Sequence, residues 1–508
     1  MAQIKNILDK EKYMNKFANA IKETTTQKLT ENGAFAYNTT ESDLLDLFAE
    51  IGALRPRTEA EITEKFERAF KEDAALAMRM AFYARDVRFG GLGERRTFRI
   101  ILKWICENHP ELATANIPNI TTFGRFDDLY TYIGTDAEGE MWKYMYNVLT
   151  HDYEQMLAGK PISLLAKWLK SINTSSRESR KLARLTLKNL GFHNERQYRK
   201  VLARMRDYLN VVENRMSAQE WDKINYSQVP AYAIKNYGSA FAKHDYERWN
   251  QYLKDLQKGT TKVNASTLYP YDLVHQYLDG YYGTTRSENS LVEAQWKALP
   301  DYVGDGANVM VMADVSGSMT GRPMETSTGL AAYFAQHNHG PFAELCMTFT
   351  DIPRYIRIRK DDKLYTAVRK TMQNVGYNTN LEKAFNLILD MALNNRVSQE
   401  DLPRALVVIS DMEIDSYVRY HGLDFVKTWR ERFKAYGYEL PQLVLWNVEA
   451  RNDTFLTKMA TKGVTFLSGQ SASTFRSLID TLNCKSAYEA MVKVLMNPAY
   501  DVVVTKVA

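Results

Sequence analysis

The chain has 508 residues, 45% hydrophobic and 25% charged, a balance that excludes a mainly disordered chain, a collagen-like fibre and a disulfide scaffold. No run of about 18 apolar residues occurs, so no membrane-spanning helix is expected. The formal charge is +5 and it is unevenly placed: residues 301–508 hold 23 basic and 23 acidic residues, while residues 160–215 hold 14 basic and 4 acidic ones, a cluster that points to a polyanionic partner.

The N-terminal stretch MAQIKNILDKEKYMNKF interrupts its apolar residues with charges and lacks the apolar core of a signal peptide. The three cysteines (Cys106, Cys346, Cys484) are far apart and form no metal-ligand spacing. Buried, reduced thiols in a cytoplasmic protein and no zinc site are the expectation.

Residues 1–300 read as almost all helix, with apolar positions three and four apart, as in Leu76, Met80, Tyr83 and in Leu164, Trp168, Ile172. Glycines and prolines cut the pattern into helices of about 10–20 residues, a length that suits a HEAT-type solenoid, with a plain helical bundle as the alternative. From about 301 the grammar changes. Strands are predicted at 308–313, 345–350, 355–358, 405–410, 442–448 and 463–467, alternating with helices at about 325–337, 362–373, 381–394, 425–436 and 473–482. That alternation predicts an α/β, doubly wound, mainly parallel sheet over 301–482, followed by a tail at 483–508. The tail ends in the β-prone run Asp501–Thr505, which could add to a sheet edge.

The first predicted α/β strand runs into Asp314-Val315-Ser316-Gly317-Ser318. Hard divalent cations take oxygen ligands, and Mg²⁺ uses few protein groups, so one carboxylate and two hydroxyls on a tight turn suit it. Thr379, in the polar loop before a helix, and Asp411, directly after the strand ALVVIS, fall on the same predicted sheet edge. The turn lacks the G-x-S-x-G pattern of a nucleophile elbow, and Gly90–Arg95 lacks the closing G-K-[ST] of a P-loop. Glu413 and Asp415 follow Asp411 closely and read as a solvated loop.

This constellation resembles the metal-ion-dependent adhesion site of von Willebrand factor A domains. The resemblance implies direct ligation by Ser316 and Ser318. It implies ligation by Thr379, Asp314 and Asp411 either directly or through water, and capture of an acidic partner group at the open position of Mg²⁺ or another divalent cation. Three signatures in the helical half resemble the TROVE modules of the Ro ribonucleoprotein family: Arg85–Arg96 (RDVRFGGLGERR), Gly124–Leu129 (GRFDDL) and Ala166–Lys170 with Thr174–Arg180. They resemble still more closely a related family of the same TROVE-plus-A-domain layout. The implied fold is an all-α HEAT-like ring, about 1–300, followed by an A domain. The implied function is binding of structured RNA on an outer basic surface and of single-stranded RNA ends in the central hole.

The basic segment supplies the candidate RNA contacts: Lys167, Lys170, Arg177, Arg180, Lys181, Arg184, Arg199, Lys200 and Arg204. The interleaved Tyr198, Tyr208, Trp221 and Tyr226 read as core packing before base stacking. Arg85, Asp86, Arg95, Arg125 and Asp127 read as ion pairs that lock helix turns. No nucleophile–base pair is visible, so the expectation is a binding protein, not an enzyme. The main rival is a Mg²⁺-dependent assembly or structural factor that does not bind RNA. A metal-dependent hydrolase using water near Asp314 is the remoter one.

Overall fold

The structure is a computed structural model that describes residues 26–265, 268–279, 283–284, 287–304, 308–373, 375–415 and 425–507. The N-terminal stretch read above for a signal peptide, and parts of the boundary segment near 280–307, lie outside the described residues.

The helical half opens with a feature that sequence periodicity missed, a short antiparallel pair of strands, β1 (Gln27–Leu29) and β2 (Phe35–Tyr37). Helices follow at Asp43–Glu50, Glu59–Glu72, Ala74–Arg85 and Arg95–Asn108, each packed on the next. Their starts are written in the sequence. Ser42 accepts from Leu45 N–H, and Thr58 and Glu61 form a reciprocal capping box, each cap typically stabilising its helix by about 1 kcal/mol. Later helices include Glu138–Leu157, Arg177–Asn189 capped by Ser176, Glu195–Tyr208 capped by Asn194, Ala231–His244, Tyr246–Lys258 and Ser290–Lys297. Two-residue strands β3 (Leu278–Asp279) and β4 (Gly283–Thr284) pair near the end of this half.

Six strands form the second unit: β5 (Val309–Asp314), β6 (Leu345–Phe349), β7 (Arg354–Arg357), β8 (Ala405–Ser410), β9 (Gln442–Asn447) and β10 (Val464–Ser468). Their order across the sheet is β10–β9–β8–β5–β6–β7, parallel except for the edge strand β7. The apolar runs VMVMA of β5 and ALVVI of β8 are continuous because both faces of these strands are covered. Helices Arg322–His337 and Leu364–Met372 cover one face; Leu381–Asn394 and Phe425–Ala435 cover the other.

The two halves share their cores. On one face Met310, Met312, Leu406, Leu445 and Phe466 join Leu44, Phe48 and Met491 in one cluster. On the other, Val311, Val407, Trp446 and Phe475 join Ile234, Leu273 and Trp296. Each such buried side chain contributes about 1.5–3 kcal/mol. The helical half therefore starts on one side of the sheet unit and returns to the other, leaving a space between.

The tail packs back as helix Ala487–Leu495 and a short turn at Pro498–Tyr500. Its β-prone end forms no strand. Asn116 instead clamps Val504 with both amide atoms, donating to its carbonyl at 2.8 Å and accepting its N–H at 3.0 Å, and Asn119 donates to the Val502 carbonyl at 2.8 Å. Two side-chain amides do the work of a neighbouring strand. Cys106 and Cys346 are buried, Cys484 is half-buried, and none is disulfide-bonded.

Candidate functional site

Two places concentrate chemistry. The first is the carboxyl edge of the sheet, where the chain turns from building outward through β6 to building outward through β8, the usual crevice for ligands in open α/β sheets. Asp314 ends β5, fully buried. Its Oδ1 accepts Ser316 N–H at 2.9 Å and its Oδ2 accepts the Ser410 hydroxyl at 2.6 Å. The Ser316 and Ser318 hydroxyl oxygens are 3.1 Å apart. A bridge between Ser316 and Gly376 lays the third loop against this turn. Gly376 is required there, because a Cβ would stand 2.7 Å from the Thr350 Cβ.

Thr379 in that loop is 1% exposed, and its hydroxyl has no hydrogen-bond partner among the described residues. Asp411 follows β8, buried beside Asp314, with its Oδ1 accepting Glu413 N–H at 3.1 Å. Met412 next to it takes φ 66°, a left-handed conformation uncommon for a non-glycine residue. Burial, and secondly the Asp411 carboxylate, push the Asp314 carboxyl above the ordinary carboxylate range. Two buried acids that repel each other, two adjacent hydroxyls and an orphaned third hydroxyl form a donor set that fits a hard cation. All five sequence-predicted residues lie at this one edge, Asp314 at the end of β5 and Ser316, Ser318, Thr379 and Asp411 in the loops beside it.

Glu413 and Asp415 correct the expectation of a solvated loop. Glu413 is buried and accepts from Thr454, from Asn452 and from the backbone N–H of Glu31 in the β1–β2 turn. Asp415 accepts Thr379 N–H at 2.7 Å, and burial, then Asp351, raise its carboxyl. Their partners lie far away in sequence, which local reading does not reach. Arg451, in the loop after β9, is a second residue the sequence did not mark. Its guanidinium donates to Asp411 Oδ2 at 2.5 Å and to the Ser318 carbonyl at 3.1 Å.

The second place is a cavity of about 1570 Å³ between the halves. Among the described residues twelve Arg and Lys side chains line it against three carboxylates, Asp86, Glu94 and Glu213. The first two helical signatures build its wall. Asp86 caps the glycine-rich turn, accepting from the N–H groups of Arg88, Phe89 and Gly91 at 2.8–3.0 Å. It is therefore a turn cap and not the ion-pair member expected.

Arg85 and Asp128 form a fully buried pair at 2.8 Å, and Gly124 leaves room for it, since a Cβ there would meet Asp128 Oδ2 at 2.6 Å. Arg125 pairs with Asp127 at 2.8 Å and stands over the Trp168 ring, its guanidinium carbon 3.9 Å from the centroid. Burial works to raise Asp127, but Arg125 and Arg99 outweigh it and hold its carboxyl below the ordinary range. Arg95 departs from the expectation. Arg85, Arg99 and Arg125 have taken the two aspartates, and among the described residues no carboxylate lies within 4.0 Å of Arg95. Burial, then Arg125 and Arg99, lower its pKa. Arg88, Arg96, Lys167, Arg322 and Arg476 also reach the cavity with no such partner among the described residues. Aromatic faces stand beside them: Arg322 over Tyr271 at 4.7 Å and Arg476 over Tyr302 at 4.4 Å.

Of the nine cations singled out in the basic segment, only Lys167 and Lys170 line the cavity. Arg177, Lys181, Arg184, Arg199, Lys200 and Arg204 are exposed on the outer helices 177–189 and 195–208, with Arg180 half-buried against the Thr174 and Ser175 carbonyls. Arg184 pairs with Glu195 at 3.2 Å, and Arg204 stands 5.8 Å over Tyr153. Arg206, from the same segment, reaches the cavity with its guanidinium bound to the Ala166 and Leu169 carbonyls. Tyr198 and Tyr226 are buried in core clusters, Trp221 stacks on His244, and Tyr208 is exposed.

No described helix is long and apolar enough to cross a membrane. A family model described as "Domain of unknown function (DUF7788)" matches residues 308–501. The curated "Uncharacterized protein L728" of Acanthamoeba polyphaga mimivirus is 28% identical over 492 residues, covering 89% of this chain and 84% of that protein. The solved structure titled "Crystal structure of Deinococcus radiodurans RO (RSR) protein" superposes with a TM-score of 0.42 at 15% identity, over 86% of this chain and 99% of that one. A second family model, described as "Domain of unknown function (DUF2828)", matches residues 30–188 and 162–307, more than half of the chain, so this protein belongs to the DUF2828 family.

Proposed function

We propose that the protein binds RNA, with a single-stranded segment in the cavity between its halves and structured RNA on the outer helices 177–208. The observation that carries the reading is the cavity's charge. Arg88, Arg95, Arg96, Lys167, Arg322 and Arg476 line one space and, among the described residues, none of them has a carboxylate within 4.0 Å; Trp168, Tyr271 and Tyr302 stand next to them. Cations in a groove that tracks phosphates, set among flat rings that accept any base, are what sequence-tolerant single-strand binding requires. A space of about 1570 Å³ admits a short run of single strand. The exposed cations of the outer helices supply a second, open surface for phosphate contacts.

The α/β unit is read as a von Willebrand factor A-like domain. Ser316, Ser318 and Thr379 would hold Mg²⁺ by their hydroxyls, with Asp314 and Asp411 completing the charge, and the ion would supply a Lewis-acidic anchor for a partner carboxylate. The chain's own residues keep this edge rigid: Ser410 ties Asp314 to β8, and Asp415 holds Thr379 in place. No catalytic role is assigned.

Ultraviolet crosslinking in cells, with sequencing of the bound RNA, tests the reading. Discrete RNAs are expected for the wild type. They should be depleted when Arg95, Arg96 and Lys167 are all changed to Glu. Background levels for the wild type would leave the metal-dependent assembly factor as the better account.

A further inference from the structure

Arg451 is the only arginine side chain among the described residues with a salt bridge to Asp411, and its surroundings are unusual for a simple ion pair. Nη2 donates to Asp411 Oδ2 at 2.5 Å and also stands 3.8 Å from Glu31 Oε2. Nη1 donates to Glu449 Oε2 at 2.8 Å and to the Ser318 carbonyl at 3.1 Å. One guanidinium thus touches two of the candidate metal-binding loops and two further carboxylates.

The backbone that carries it is pinned on both sides. Ala450 N–H donates to the Ala53 carbonyl at 3.0 Å, and the Asp453 carboxylate receives Lys65 at 2.9 Å and Arg57 at 2.5 Å from the helical half. The loop is held while the side chain has a choice of acceptors. Asp411 has little choice in return: its Oδ1 is tied to Glu413 N–H within its own loop, so Oδ2, the oxygen under Arg451, is the one it can offer a cation.

We infer that Arg451 is a tethered cation that competes with a divalent metal for Asp411, so that metal binding moves the guanidinium onto Glu449 and Glu31. The inference rests on the metal-site reading above. A guanidinium and a divalent ion at one carboxylate repel each other, so whichever leaves relieves the other. Glu31 and Glu449 are the acceptors already within reach, and Glu31 belongs to the β1–β2 turn, so the metal's arrival would tighten the hold on the N-terminal hairpin.

The test is direct titration of the full chain with Mn²⁺, read by the electron paramagnetic resonance of the unbound ion. Wild type is compared with Arg451→Gln, Arg451→Lys, Glu449→Gln and Asp314→Ala, each checked for folding by circular dichroism. Arg451→Gln keeps donors for the Ser318 carbonyl while losing the charge, and should bind Mn²⁺ at least tenfold more tightly. Arg451→Lys keeps the charge and should stay near wild type. Glu449→Gln removes a landing place and should weaken binding several-fold. Binding by Arg451→Gln where wild type shows none would also support the inference. Wild-type binding that Asp314→Ala abolishes and Arg451→Gln leaves equal or weaker would overturn it while leaving the metal site intact. No binding by wild type or by Arg451→Gln would overturn the metal site and the inference together.

Discussion

Asp128 accepts Arg85 Nε on one oxygen at 2.8 Å and Arg99 Nε on the other at 2.6 Å, a buried carboxylate shared by two arginines from different helices. This single residue joins Arg85, at the start of the glycine-rich arginine turn, to the GRFDDL motif. It also fixes which arginines are spent on structure and which remain to face the cavity.

Removing one partner of a buried ion pair leaves the other charged and desolvated. Asp128→Asn should therefore lower stability by about 3–5 kcal/mol, seen as an earlier midpoint in urea denaturation. Arg95→Ala, on the same wall but with no carboxylate partner among the described residues, should change the midpoint little.

Stability should depend on pH through Glu50. Burial pushes its carboxyl from 4.5 up to about 7, against the opposing pull of Lys65 at 2.9 Å. The folded state holds this proton more tightly than the unfolded one. The resulting stabilisation is complete below about pH 4.5 and is lost as pH rises through about 7. Glu50→Gln does not titrate. Its thermal midpoint relative to wild type should rise between pH 4.5 and 8, by a free energy on the order of 2–3 kcal/mol. A flat difference across that range would contradict the assignment.

The tail should brace the cavity wall from behind, through Asp86. Tyr500 is buried, donates to Asp86 Oδ2 at 3.0 Å and packs edge-on to Tyr83 with their centroids 6.2 Å apart. Tyr500→Ala should cost about 3–5 kcal/mol and raise amide hydrogen exchange in the 86–93 turn that Asp86 caps. Unchanged exchange there would mean that the tail is only a surface strap.

The two basic surfaces should separate by ligand. Reversing Arg177, Lys181 and Lys200 on the outer helices should weaken binding of a hairpin RNA and leave a short unstructured oligonucleotide largely unaffected. Equal loss for both ligands would contradict the division.

The α/β unit was legible because its central strands are continuous apolar runs, and Asp314 and Asp411 could be placed from the ends of β5 and β8 alone. Helix 381–394 and strand 405–410 fall where the pattern puts them. Strands β1 and β2 are three residues each, too short for a period to show. Arg451 and Glu413 were out of reach because their partners come from other loops, and nothing local distinguishes a buried charge from a solvated one. Arg95 was misjudged for a countable reason: motif reading saw arginines beside aspartates, but two carboxylates cannot neutralise every arginine on that wall.

The most direct test is fluorescence anisotropy of a short labelled oligouridine titrated with the full chain at several salt concentrations, for wild type and for the triple variant Arg95→Glu, Arg96→Glu, Lys167→Glu. The account predicts salt-dependent binding by wild type, with log affinity falling linearly against log salt. The folded variant should lose at least tenfold in affinity and show a shallower slope. Equal affinity and slope for the two proteins would contradict the assignment of the cavity as the RNA site.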